Sequence, residues 1–192
     1  MESNSNESQV DINEKKNEQK SNSMNEIISW IKVVLSALVI AFILRTFVFQ
    51  LALVNQISME PTLIEGQMLI ISKVNYFVGT PKRGDIIVFK DNYENKLLIK
   101  RVIGLPGETV DLRNGKVFIN EKELEPDYTS FPTYAYVQES WQVPEGQYFV
   151  MGDNREHSRD SRVETVGLIN RKSIVGKAVF RLWPFNKLGV LK

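Results

Sequence analysis

The hydrophobic pattern of the chain changes twice, and each of the three stretches predicts a different structure. Residues 1–25 are mostly Ser, Asn, Glu, Lys and Gln, with almost no apolar side chains. Such a segment buries too little surface to offset its ordering entropy, so a disordered tail is expected. From Ile27 to Phe49 the composition inverts, and the apolar run is interrupted chiefly by Ser29, Lys32, Ser36 and Arg45. About 20 residues at 1.5 Å rise span a bilayer core, so residues 26–49 read as one transmembrane helix with Lys32 snorkelling to the interface. A cleaved signal peptide would end on small residues, whereas this run leaves through Arg45-Thr46-Phe47. A buried soluble helix would show a polar face, and Val33 to Leu44 has almost none. Lys15, Lys16, Lys20 and Lys32 precede the run, while Arg45 stands alone behind it until Lys73. The positive-inside rule places residues 1–25 in the cytoplasm and residues 50–192 outside the cell membrane.

Beyond Gln50 the period becomes that of strands. Gln67 to Ile71, Asp85 to Phe89 and Lys96 to Ile103 are short, β-branched and bounded by Gly or Pro. Glu108 to Arg113 and Lys116 to Asn120 flank Asn114-Gly115, a two-residue hairpin signal. Further strands are predicted at Gln147 to Met151 and Ile174 to Leu182, and no second helix of convincing period is found. The longest irregular stretch, Glu125 to Val143, holds Tyr128, Phe131, Tyr134, Tyr136 and Trp141, which suit a flap or a membrane-facing surface.

Composition narrows the chemistry. The chain has 192 residues, enough for one packed domain with appendages. A net charge of +1 without a basic stripe gives no attraction to nucleic acid. With no cysteine, thiol nucleophiles, disulfides and cysteine-bound zinc are excluded, and with His157 as the one histidine so is a histidine-rich metal site.

A serine hydroxyl attacks only when a neighbour takes its proton. Ser58 opens Ser58-Met59-Glu60-Pro61-Thr62-Leu63, which is either a nucleophile setting or a plain turn closed by Pro61. Lys100 shares a strand face with Leu98 and Val102, opposite Ile99, Arg101 and Ile103. Turned inward it is a desolvated base; turned outward it snorkels from an edge. Gly152 to Arg162 alternates small, acidic and basic residues and reads as a solvated turn or as a shell of ion pairs bracing a site. His157 lies inside it, which keeps a Ser/His/Asp triad among the alternatives.

Together these segments resemble the type I signal peptidases, or leader peptidases, which are membrane-bound serine proteases with a Ser/Lys dyad. The resemblance rests on Ser58 to Leu63, Gly84 to Phe89, Lys100 to Gly107, and Gly152-Asp153-Asn154-Arg155 followed by Ser158-Arg159-Asp160-Ser161-Arg162. The ending Val175 to Pro184 is similar to that of the Gram-positive branch. The resemblance implies an all-β catalytic core, a coiled sheet, behind the single transmembrane helix. It implies Ser58 as nucleophile, Lys100 as general base, and Ser158 as a hydrogen-bond partner of the lysine amine. Asp153 and Asp160 would pair with Arg101 and Arg162 to brace the site. Val54, Met59, Leu63 and Ile99 would line shallow pockets that read an Ala-x-Ala cleavage sequence. Many members carry Gly or Ser two residues before the nucleophile, where this chain has Gln56, so the second oxyanion donor is either the Gln56 amide or a backbone group. The implied partners are preprotein signal peptides, membrane lipid and nearby protein-export machinery, without a metal or organic cofactor. Two alternatives are a cytosolic self-cleaving repressor-type protease, which uses a similar Ser/Lys site but would carry a DNA-binding helix-turn-helix instead of this anchor, and a non-catalytic assembly factor built on the same fold.

Overall fold

A computed structural model describes residues 29–42, 47–91, 93–125, 129, 132–136 and 138–191. The predicted tail, the ends of the predicted anchor, and Tyr128 and Phe131 lie outside the described residues. The chain divides into two units, Met1–Thr46 and Phe47–Lys192. In the first, residues 29–42 form helix α1, whose apolar side chains from Trp30 to Phe42 are exposed. At 1.5 Å per residue α1 is about 20 Å long. Among the described residues no helix is long and apolar enough to cross a membrane.

The second unit is built from antiparallel strands: β1 (Phe49–Leu53), β2 (Met68–Ser72), β3 (Ile86–Lys90), β4 (Leu97–Gly104), β5 (Thr109–Arg113), β6 (Lys116–Ile119), β7 (Lys122–Glu123), β8 (Ser140–Gln142), β9 (Gln147–Met151), β10 (Ile169–Asn170), β11 (Ile174–Trp183) and β12 (Gly189–Val190). Among the described residues the larger sheet runs β1-β2-β11-β3-β4-β9-β10 with β12 on β11, and the smaller runs β7-β6-β5-β8. The seven strands predicted from pattern are present to within a residue or two. The expected hairpin joins β5 to β6, with φ of 54° at Asn114 and 76° at Gly115. Two successive positive φ values are what a type I′ turn requires, and they explain the Asn-Gly pair.

Three features depart from the pattern. Phe49, expected to end the anchor, begins strand β1. A one-turn helix α2 (Asn75–Val78) follows β2, too short to show a helical period. The aromatic stretch carries β8, and Trp141 packs on Phe149 with ring centroids 4.9 Å apart, so this ring belongs to the core rather than to a flap.

Strand β4 touches all of the core. Ile99 packs on the cluster of Val54, Met59, Leu63 and Leu69, Leu98 and Val102 join Ile87 and Phe89, and Ile103 joins Val110 and Phe149. Each fully buried aliphatic side chain contributes roughly 1.5–3 kcal/mol. With β3 on one side and β9 on the other, every residue from Lys100 to Gly104 is buried.

Candidate active site

Ser58 sits in a single 3₁₀ turn, Ile57–Met59, closed by Glu60 N–H donating to Ile57 O at 3.0 Å. Met59 and Leu63 anchor this turn in the core, and Leu63 N–H donates to Met59 O at 2.8 Å. The loop after β9 holds it from the other side. Asn154 N–H reaches Ser58 O at 3.1 Å and Asn154 Nδ2 reaches Ile57 O at 3.2 Å. That approach requires Gly152, because a Cβ there would lie 2.3 Å from Ser58 O and 2.2 Å from Ser158 Oγ. Ser58 is thereby buried to 6% exposure.

Lys100 points to the same place from β4, 42 residues away in sequence. Its Nζ lies 2.8 Å from Ser58 Oγ and 3.1 Å from Ile99 O. The side chain is 1% exposed, so the inward-facing alternative holds. Burial pushes its ammonium down from 10.5 to about 8; nearby Asp160 and Asp153 oppose the shift and Arg159 adds to it.

Two buried ion pairs frame the dyad. Arg101 grips Asp153 through Nε and Nη2 at 2.9 and 2.7 Å, while its Nη1 donates to Gly84 O at 2.9 Å. Arg162 grips Asp160 through Nε and Nη2 at 2.8 and 2.9 Å, and Asp160 also accepts from Gly152 N–H at 3.0 Å. Both pairs are planar and two-pronged, the geometry that best offsets the cost of desolvating charge. The Gly152–Arg162 segment is therefore largely buried, not a solvated turn.

A cleft of about 550 Å³ opens beside Ser58, lined by Val54, Met59, Ile99, Leu53, Ala52 and Gln56 among others. Leu63 departs from expectation: it is fully buried in the core that Met59 and Val54 share and is not part of this wall. Ser158 departs too. Its hydroxyl is buried but bonds neither Lys100 nor any other described residue. His157 is exposed, and its Nδ1 contacts Asn154 Oδ1 at 3.3 Å, so the basic side chain in contact with the Ser58 hydroxyl is Lys100 and not His157.

The profile of the family described as signal peptidase, peptidase S26, matches residues 27–183. The chain belongs to that family. It is accordingly a serine endopeptidase. Signal peptidase I of Bacillus licheniformis is 38% identical over 184 residues, covering 89% of this chain and 96% of that protein. Signal peptidase I of Leptolyngbya laminosa is 42% identical over 170 residues, covering 84% and 82%. A crystal structure of a signal peptidase I from Enterococcus faecalis V583 is 36% identical, with a TM-score of 0.43, covering 52% of this chain and 97% of that one.

Reasoning from sequence missed three members of this family site. Asn154 tethers the nucleophile turn, Gly152 makes room for it, and Arg159 pairs with Asp91 at 2.9 Å and Glu94 at 3.3 Å. All three lie inside the segment Gly152 to Arg162 already singled out, but nothing in the sequence pairs that segment with Ile57, Ser58, Asp91 or Glu94. The Arg159 contact bridges 68 residues.

Proposed function

We propose that this chain removes signal peptides from exported preproteins after small residues, with Ser58 as nucleophile and Lys100 as general base. The observation that carries the reading is the 2.8 Å contact between Ser58 Oγ and the buried Lys100 Nζ. The neutral amine accepts the hydroxyl proton as Ser58 Oγ attacks the scissile carbonyl carbon. The tetrahedral oxyanion takes hydrogen bonds from the Ser58 backbone N–H and from Gln56. As it collapses, the C–N bond breaks, Lys100 returns the proton to the leaving amine, and an ester of Ser58 remains. Water, deprotonated by Lys100, attacks that ester; the signal peptide leaves as a carboxylate and the proton passes back to Ser58.

Arg101–Asp153 and Arg162–Asp160 hold the strand and the loop that present these groups. The apolar walls formed by Val54, Met59 and Ile99 suit the small side chains of an Ala-x-Ala site. The exposed apolar surface of α1 supports a membrane anchor that ends before β1, and the lysines ahead of it favour residues 1–25 in the cytoplasm and the β domain outside, beside the export machinery. The test is cleavage of a preprotein bearing an Ala-x-Ala site by the detergent-solubilised full chain. Wild type cleaves, and Ser58→Ala and Lys100→Ala, both folded by circular dichroism, do not. Cleavage that survives either substitution removes the dyad.

A further inference from the structure

Two clefts meet at the nucleophile, and their walls differ in chemistry. The first, described above, is largely apolar around Val54, Met59 and Ile99. The second, of about 380 Å³, shares Asn55, Gln56 and Ser58 with it but is bounded by Glu65, Glu94, His157 and Arg159. A peptide cut at Ser58 must extend to both sides of that residue. If its small apolar side chains fill the first cleft, the polar second cleft faces the chain that departs.

The charges in this second cleft are unequally satisfied. Glu94 is shared between Lys96 at 3.2 Å and Arg159 at 3.3 Å, and Arg159 also holds Asp91. Glu65 is exposed and forms no ion pair with any described residue. The cleft therefore presents, in Glu65, a carboxylate with no ion pair to any described residue, in the same lining as Ser58.

We propose that this second cleft is the subsite for the first residues of the mature chain, and that Glu65 makes it prefer basic over acidic side chains there. The inference rests on the Ser58/Lys100 reading and adds to it a selectivity on the side of the bond that small-residue pockets do not read. Glu65 also attracts the α-ammonium that cleavage creates, which draws the new terminus off the lysine base. Because Glu65 is exposed, its attraction is modest and screened by salt.

The test uses the full chain carrying Ser58→Ala, so that binding is read without turnover. Two fluorescent peptides span the same Ala-x-Ala site and differ only in Lys or Glu at the second position after it. Anisotropy in detergent micelles should show the Lys peptide binding about two- to fivefold tighter at low salt, with the preference shrinking at high salt. Glu65→Gln should equalise the pair and Glu65→Lys should invert it. A matched Lys/Glu exchange placed well before the cleavage site should be insensitive to both substitutions. Equal binding of the two peptides, or a preference that survives Glu65→Gln, overturns this subsite while leaving the dyad standing. Failure of both peptides to bind overturns both readings.

Discussion

Replacing Lys100 by methionine should stabilise the fold at neutral pH while abolishing turnover. Burial holds the Lys100 ammonium at about 8, against 10.5 for a solvated lysine. The gap, 10.5 − 8, amounts to roughly 3 kcal/mol at about 1.4 kcal/mol for each pH unit. Its sign follows from proton binding. Below pH 8 both folded and unfolded chains carry the proton, and the folded state bears the full cost of burying it. Between 8 and 10.5 the unfolded chain binds more protons, so stability rises with pH. Above 10.5 the cost is gone. Methionine has similar length and no charge, but it forfeits the amine's hydrogen bonds to Ser58 and Ile99, each worth about 1 kcal/mol net. The variant should thus be roughly 1 kcal/mol more stable than wild type at pH 7 and roughly 2 kcal/mol less stable near pH 11. Urea melts of both full chains in mild detergent, followed by tryptophan fluorescence across that range, read the difference and cancel every other titrating group. A difference that stays constant with pH would refute the reasoning, because it would mean that Lys100 titrates as a solvated amine.

Other consequences are open to equally direct measurement. Asp153→Ala leaves Arg101 buried without its carboxylate and should cost about 3–5 kcal/mol in the same melts; a loss under 1 kcal/mol would show that the pair is solvated. Gly152→Ala places a methyl group 2.3 Å from Ser58 O, so the nucleophile must shift and kcat should fall about a hundredfold in the cleavage assay. Undiminished turnover would deny the close approach of that loop. His157→Ala should keep kcat within a few fold of wild type, since Lys100 and not His157 contacts Ser58, with any effect of its place in the second cleft read in KM; a collapse in kcat would restore the histidine as base.

The larger strands were legible because each is a β-branched run with turn residues at its ends, as β3, β4 and β9 illustrate. The two-residue strands β7, β10 and β12 and the single-turn helix α2 are shorter than any period, so no pattern in the sequence could reveal them. Strand β1 was hidden for another reason. Phe49 faces outward and is apolar, so it closed the hydrophobic run instead of marking a new element. At the site, the identities of Ser58 and Lys100 were carried by their motifs, but the inward turn of Lys100 was not, since it depends on β3 and β9 flanking β4. The pairings Arg101–Asp153 and Arg162–Asp160 matched those implied by resemblance. Ser158 and Leu63 do not adopt their implied contacts: the Ser158 hydroxyl is buried without a hydrogen bond to any described residue, and Leu63 packs into the core around Met59.

The central claim is that a neutral, buried lysine takes the proton of Ser58, and kcat/KM for preprotein cleavage measured against pH tests it most directly, because that ratio reports the free enzyme's essential base. The account predicts a rising limb with an apparent pKa near 8, unchanged by His157→Ala and absent with Lys100→Ala. A rate flat from acid to alkaline pH, or a limb in the histidine range that vanishes with His157→Ala, would contradict it.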